Sequence, residues 1–196
     1  MAGRPAGTDR GSRIAILQAA VECFSRNGYQ GTTMRDISRV SGLGQPTIYH
    51  FYGSKENLFR IALRSTHLAI MRVLRRGVGF RNTGGAGEEL LGMFRAVEAH
   101  HRRNPEQIHL IFRLLYTAPP EIRDGFVEQY ADDYSRLVRR SYERNEIEGD
   151  RDEDGETRVG LLIHVFQGYL LDLSRSAPGT GSRTDYAALL KFILER

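Results

Sequence analysis

The chain has 196 residues, of which 40% are hydrophobic, a share sufficient for an ordinary core. Its single cysteine, Cys23, excludes an intramolecular disulfide and a four-thiolate metal site. The longest apolar stretch, Val159 to Leu173, is interrupted by polar residues and is shorter than the roughly 20 residues that span a membrane. The residues after Met1 do not resemble a signal peptide, so we expect a cytoplasmic protein without a membrane segment.

The formal net charge of +4 is concentrated at one end of the chain. Residues 1–60 carry 8 Lys or Arg and 4 Asp or Glu, whereas residues 61–196 carry 20 of each. This distribution is typical of a nucleic-acid-binding head on a neutral body, although a membrane-surface patch would look similar.

The first predicted element is a helix preceded by a basic arm. Residues 1–11 contain Gly, Pro and two arginines without apolar periodicity, and we interpret them as flexible. Helical periodicity predicts a helix from Ser12 to Asn27, ended by Gly28. The predicted inward residues are Ile14, Leu17, Val21 and Phe24.

Two short helices follow, separated by the turn Ser41-Gly42-Leu43. Thr33 and Asp36 have the spacing of a capping box, which predicts a helix from Met34 to Val40 with Ile37 and Val40 inward. Pro46 is tolerated only in a first helical turn, so the second helix is predicted from Gln45 to Tyr52. Two short helices joined by such a turn form a helix-turn-helix.

Six further helices are predicted downstream. Ser54 is placed to cap the first of them, a long helix that begins at Lys55. Their predicted ranges are 55–76, 88–102, 105–116, 120–145, 157–175 and 184–196, with an acidic loop at 146–156. Because no segment shows sustained period-two alternation, the predicted fold class is all-α with about nine helices.

Around the short helices the sequence reads GTTMRDIS over residues 31–38 and GLGQPTIYHFYGSKENL over residues 42–58. From about Arg13 to Leu63 the chain closely resembles the DNA-binding domain of the tetracycline-repressor (TetR) family of bacterial transcriptional regulators. The resemblance implies a helix-turn-helix DNA-binding domain over residues 12–54. It further implies a ligand-binding and dimerisation domain over residues 55–196, with helix four, residues 55–76, linking the two.

The second short helix has one apolar and one polar face. Ile48 and Tyr52 share the inner face, which leaves Thr47 and Tyr49 on or beside the outer one. A Gln side chain can bond adenine bidentately, a Thr methyl can contact the thymine methyl, and Tyr and His can bond phosphates. The predicted DNA-binding residues are Thr33, Arg35, Gln45, Pro46, Thr47, Tyr49, His50 and Lys55.

Each of these residues also has a structural alternative. Thr33 could serve only as a helix cap, Lys55 and Arg35 could be solvated charges, and Tyr49 could pack partly in the core. In the basic arm, Arg4 and Arg10 could enter a minor groove or form a solvated tail.

The resemblance places an inducer cavity among the C-terminal helices, and aromatic residues there recur at helical spacing. The candidate pocket residues are Phe94, Phe112, Tyr116, Tyr130 and Tyr134, with ordinary core packing as the alternative. This set, together with the absence of a phosphate-cradling loop, predicts an apolar or aromatic small-molecule effector. No His or Cys spacing predicts a metal site.

The family dimerises through its last two helices, and the corresponding segments here have apolar faces. Gly160, His164 and Gly168 recur at steps of four, which favours close helix approach, and intramolecular packing is the alternative. The candidate interface residues are Gly160, Leu161, His164, Gly168, Leu171, Leu189 and Ile193.

No catalytic or nucleotide-binding motif is present, so neither an enzyme nor a cofactor is expected. We predict a homodimeric transcriptional regulator, expected to be a repressor, that binds palindromic double-stranded operator DNA and responds to a small molecule. Two alternatives stay open. One is a helical small-molecule-binding or enzymatic protein with a vestigial head, and the other is an architectural DNA binder that does not respond to ligand.

Overall fold

The computed structural model describes residues 6–78, 85–145, 153–175 and 184–194. Within these ranges the chain forms nine α-helices and no strand, so the predicted all-α class is confirmed. The helices are α1 (Ala6–Gly31), α2 (Met34–Ser41), α3 (Gln45–Tyr52), α4 (Lys55–Val78), α5 (Gly85–Arg103), α6 (Pro105–Thr117), α7 (Pro120–Asn145), α8 (Glu153–Arg175) and α9 (Tyr186–Leu194). The bounds of α3 and α7 are those predicted from the sequence.

Helix α1 begins earlier than predicted. The flexible-arm prediction is wrong for residues 6–11, which are helical, while residues 1–5, including Arg4, lie outside the described residues. Extending a helix that is already nucleated costs little, and Asp9 places a carboxylate at the positive end of the helix dipole. The predicted stop is present, because Gly28 has φ 70° and interrupts the helical backbone before a last turn to Gly31.

The starts of α8 and α9 also differ from prediction. Residues 153–156 of the predicted acidic loop belong to α8, where carboxylates are favourable in a first turn; residues 146–152 lie outside the described residues. The last helix starts at Tyr186 instead of Thr184, because the Asp185 carboxylate accepts a hydrogen bond from Ala188 N at 3.0 Å and so caps it.

The chain divides into two compact units, the first consisting of Met1–His67 with His109–Gly125. Its core is built around the Phe24 ring, whose centroid lies 4.7 Å from that of Phe59 in an edge-on arrangement. Thr32 is fully buried and donates from its hydroxyl to the carbonyls of Gly28 (2.8 Å) and Cys23 (3.1 Å). The single hydroxyl proton is thus shared between two carbonyls near the end of α1.

Two residues predicted to face inward are exposed: Ile14 at 48% and Val40 at 44%. On α1 the buried face runs through Ile16, and Ile14 lies two residues away, about 200° around the helix. Val40 is the penultimate residue of α2, and the buried residues of that helix, Met34 and Ile37, lie nearer its start.

The second unit comprises Leu68–Ile108 and Phe126–Arg196. Here Phe94 of α5 contacts three aromatic rings, those of Phe166, Tyr169 and Tyr186, at centroid distances of 5.2, 4.5 and 5.8 Å. The Tyr169 hydroxyl donates to the Phe94 carbonyl at 2.9 Å, and burial raises the pKa of Tyr169 well above its ordinary value. Tyr169 therefore remains a protonated donor in the interior of this unit.

Helices α4 and α5 approach each other closely through two glycines of the second unit. A Cβ atom added to Gly92 would lie 2.6 Å from the carbonyl oxygen of Gly77, and one added to Gly77 would lie 2.7 Å from the carbonyl oxygen of Gly92. Backbone atoms cannot move aside as a flexible side chain can. This crossing therefore requires glycine at both positions.

We predict that Gly92→Ala lowers the free energy of unfolding by about 1–3 kcal/mol, because the added methyl overpacks a backbone contact. The control is Gly125→Ala in α7, where the nearest atom to an added Cβ is a guanidinium nitrogen of Arg60 at 3.9 Å. That variant should be stabilised by about 0.5–1 kcal/mol through the higher helix propensity of alanine. Chemical denaturation of both variants decides the matter, and equal stability of the two would contradict the close approach.

Candidate nucleic-acid interface

The predicted helix-turn-helix is present as α2, a three-residue turn and α3. The capping box is formed: Thr33 Oγ1 accepts from Asp36 N at 3.2 Å, and the Asp36 carboxylate accepts from Thr33 N at 3.0 Å. Gly42 ends α2 in the left-handed region at φ 68°. The Ser38 hydroxyl donates to the Leu43 carbonyl at 2.7 Å, which fixes the turn between the two helices.

Helix α3 has the two faces that its sequence predicted. Ile48 is fully buried and Tyr52 is 7% exposed, whereas the Tyr49 side chain is 47% exposed. Gln45, Pro46 and His50 are also exposed, and Thr47 is half-buried. The outer face thus presents an amide, a hydroxyl, an imidazole and a phenol.

A side chain at the end of α3 anchors the helix to α1. The Tyr52 hydroxyl donates to the carbonyl of Arg13 at 2.8 Å, across 39 residues of sequence. The Arg13 guanidinium lies over the ring of Phe51, 4.9 Å from its centroid. Both contacts fix the orientation of α3 relative to α1, and neither was predicted from the sequence.

The start of α4 is tied to the helix-turn-helix as well. Ser54 Oγ accepts from Asn57 N at 3.1 Å, as expected of a cap, and Asn57 Nδ2 donates to the Tyr52 carbonyl at 2.9 Å. These bonds connect the last residue of α3 with the first turn of α4.

Lys55 has a structural role that neither sequence interpretation included. Its ammonium donates to the Thr32 carbonyl at 2.9 Å and lies 4.4 Å from the centroid of the Tyr29 ring. Burial lowers the pKa of Lys55 from its ordinary value. The bond holds the positive charge of Lys55 beside Thr32. Because an ammonium has three donors and this bond uses one, two donors remain.

The Thr33 hydroxyl is fully engaged in the cap. Besides accepting from Asp36 N, it donates to Asp36 Oδ2 at 2.6 Å, and this bond lowers the pKa of the Asp36 carboxyl together with the bond from Thr33 N. The guanidinium of Arg39 adds an ion pair to Asp36 at 3.2 Å. Arg35 is exposed on the same helix.

The predicted ligand-pocket residues fall in both units. In the first unit, Phe112 is half-buried, and Tyr116 lies in α6 with a side chain outside the described residues. In the second unit, the rings of Phe94 and Tyr134 flank Phe166 at 5.2 and 6.1 Å. Phe94 and Tyr134 thus both lie next to the ring of Phe166.

Tyr130 and Tyr134, both on α7, are half-buried. Tyr130 contacts Phe126 at a centroid distance of 4.9 Å, and the Tyr134 hydroxyl accepts a hydrogen bond from Gln167. The second unit also contains an open pocket of about 430 Å³ lined by Arg75, Leu137, Arg140 and Arg144, none of which was predicted.

The predicted interface face on α8 and α9 is exposed in part. Leu161 and Leu189 are 48% and 40% exposed, and His164 is exposed with Nδ1 donating to the Gly160 carbonyl. Leu171 and Ile193 are half-buried. Gly168 differs, because a Cβ added there would lie 3.5 Å from the Tyr186 hydroxyl of the same chain.

Phe192, which is 56% exposed on α9, was not predicted from the sequence. It lies three residues after Leu189, a helical spacing that could have placed both side chains on one face. Across the described ranges, no helix has the length and apolarity needed to cross a membrane. Within the same ranges, no three His, Cys, Asp or Glu residues are grouped so that they could hold a metal ion.

The helix-turn-helix region matches the family model for bacterial regulatory proteins of the tetR family over residues 16–61. The HTH-type transcriptional repressor AcnR of Corynebacterium glutamicum is 27% identical over 174 residues, which are 89% of this chain and 85% of AcnR. The HTH-type transcriptional repressor NicS of Pseudomonas putida is 42% identical over 48 residues, 24% of this chain and 23% of NicS.

Solved structures share the whole fold. A TetR-like transcriptional regulator from Rhodococcus sp. RHA1 aligns with a TM-score of 0.72 at 19% identity over 94% of both chains. The transcriptional regulator FadR from Bacillus subtilis, crystallised with stearoyl-CoA, aligns with a TM-score of 0.68 at 16% identity over 93% of this chain and 96% of FadR. At these identities the likeness concerns the fold.

Proposed function

The chain belongs to the TetR family of bacterial regulatory proteins, and on that basis we propose that it is a repressor that binds a palindromic operator as a homodimer and is released by a small molecule. The family consists of transcriptional regulators and not of enzymes. The observation that carries the proposal is the outer face of α3, where Gln45, Tyr49 and His50 are exposed on a helix whose inner face is buried. Repression is supported by AcnR, a relative described as a transcriptional repressor.

In the proposed complex α3 lies in the major groove with its first turn towards the bases. Gln45 bonds an adenine edge, Thr47 contacts a thymine methyl, and Pro46 packs beside them. Tyr49 and His50 bond phosphate oxygens. At the groove edges Thr33, Arg35 and Lys55 stand near the starts of α2 and α4, where unpaired backbone N–H groups favour phosphate.

The bonds of Thr33 and Lys55 define how they act in this proposal. The Thr33 hydroxyl is committed to Asp36, so its contribution to phosphate binding is to hold the start of α2 in shape. Lys55 donates one hydrogen bond to the Thr32 carbonyl and can donate the others to phosphates of the DNA backbone.

We predict that Gln45→Ala weakens operator binding by about 1–3 kcal/mol, mainly at one base position, because a bidentate base contact is lost. Tyr49→Phe should weaken binding evenly across operator variants, because a phosphate carries no sequence information. Fluorescence anisotropy with single-base operator variants measures both effects.

The matched control is Gln18→Ala, which makes the same chemical change at an exposed position on α1. It should leave affinity unchanged. An equal loss at every base position for Gln45→Ala would contradict the base contact.

The homodimer is supported by apolar side chains exposed on the last two helices. Leu161, Leu189 and Phe192 present apolar groups there, and a Cβ added to Gly160 meets nothing within 4 Å, so a second helix has room to approach. A two-fold dimer places two heads on half-sites about one helical turn of DNA apart, which accounts for a palindromic operator. His164, Leu171 and Ile193 complete the proposed interface, whereas Gly168 faces Tyr186 of its own chain.

We predict that Leu161→Glu converts the dimer into a monomer at micromolar concentration, because the charge would be buried without a partner. The control is Val127→Glu, an equally drastic change at an apolar residue of α7 that is 39% exposed. Sedimentation velocity of both variants decides the matter. A wild-type monomer, or a Leu161→Glu dimer, would contradict the proposed interface.

For the effector we propose an apolar or aromatic molecule that contacts the half-buried aromatic residues. Tyr130 and Tyr134 combine rings with hydroxyl groups and so suit an apolar ligand that carries a polar group. Phe112 and Tyr116 lie in the first unit and stay predictions from the sequence. We place Phe94 only at the edge of the proposed pocket, because three aromatic rings of the second unit surround the Phe94 side chain. Release requires that the effector prefer the released conformation by several kcal/mol.

We predict that Tyr134→Ala raises the effector concentration needed to release DNA and leaves DNA affinity without effector unchanged. The probe is a panel of uncharged aromatic compounds, screened with the wild type for release of labelled operator DNA. Val127→Ala on the same helix serves as control. If an active compound releases DNA from wild type and Tyr134→Ala with one midpoint, Tyr134 does not line its site.

A further inference from the structure

Arg13 is held in a defined position beside the recognition helix. Its backbone carbonyl accepts the Tyr52 hydroxyl bond at 2.8 Å, and its guanidinium lies 4.9 Å from the centroid of the Phe51 ring. Phe51 in turn lies next to His50, with the two ring centroids 5.1 Å apart. A cation from α1 therefore adjoins the C-terminal half of α3.

The charge of Arg13 is not neutralised by a carboxylate of the described part of the chain. Some other arginines of the first unit do form ion pairs: Arg26 with Glu22 at 2.9 Å, Arg39 with Asp36 at 3.2 Å and Arg60 with Glu56 at 2.9 Å. Arg13 instead stacks on an aromatic face and remains exposed. Stacking leaves the N–H donors at the edge of the planar group available to an acceptor.

We infer that Arg13, stacked on Phe51, is a DNA phosphate contact that clamps the backbone beside the groove entered by α3. The inference rests on the proposed DNA binding and adds α1 to the elements that touch DNA. A stacked guanidinium loses less side-chain freedom on binding than a mobile one, and its planar fork matches phosphate oxygens. The clamp fixes position and carries no sequence preference.

The test compares Arg13→Gln with Arg26→Gln, which removes the same charge from the same helix. Arg13→Gln should reduce the slope of log affinity against log salt by about 0.9 per contact, or about 1.8 for a dimer, whereas Arg26→Gln should leave it unchanged. When the salt concentration falls from 1 M to 0.1 M, the affinity of the wild type should therefore rise about eightfold more per contact than the affinity of Arg13→Gln. The loss should be the same for every operator variant.

Two further measurements separate contact from folding. The Tyr52 hydroxyl bonds the backbone carbonyl of Arg13, a bond that Arg13→Gln retains, so thermal unfolding of Arg13→Gln should stay close to that of Arg26→Gln. Arg13→Lys should keep the salt slope but bind less tightly than wild type, because an ammonium lacks the planar fork.

Several results would overturn the inference. If wild type binds selectively and Arg13→Gln behaves like Arg26→Gln, the clamp is wrong and the proposed function stands. A loss confined to one base position would make Arg13 a base contact, and a loss that follows a lower melting temperature would make it structural. A wild type without selective binding would overturn the proposed function and the inference together.

Discussion

Helices α2 and α3 have eight residues each, fewer than the roughly 12–15 that an isolated helix needs to be even marginally stable in water. Their positions therefore depend on tertiary contacts. Ile37 and Ile48 are fully buried, and the Tyr52 hydroxyl and the Lys55 ammonium each bond a distant carbonyl, that of Arg13 and that of Thr32. Each bond runs from a side chain to the backbone, the first to α1 and the second to the segment between α1 and α2.

This anchoring leaves the outer face of α3 free for recognition. Side chains that contact bases must be held in position before binding. If the helix were mobile, ordering it on binding would cost entropy and so reduce the affinity for the correct site. Regulation of the proposed dimer would then require an effector that distinguishes two of its conformations. Residues of α4 fall in both units, with Lys55 in the first and Gly77 in the second.

Local signals predicted the fold well where they determine a helix end. Pro46 and the Thr33–Asp36 spacing located α2 and α3, because caps act within one turn of backbone. Sequence could not locate the long-range bonds, such as that of Lys55 to Thr32, because they depend on how helices pack. The same limit applies to Gly168, where spacing suggested an open face and the fold places Tyr186.

The most direct measurement is amide hydrogen exchange of wild type and Tyr52→Phe, a variant that removes one oxygen and keeps the ring. Loss of the bond to Arg13 is worth about 1 kcal/mol, so the amides of α3 should exchange about fivefold faster. The amides of α8, in the other unit, should be unaffected. Unchanged exchange in α3, or an equal change in α8, would contradict the claim that this bond holds α3 in place.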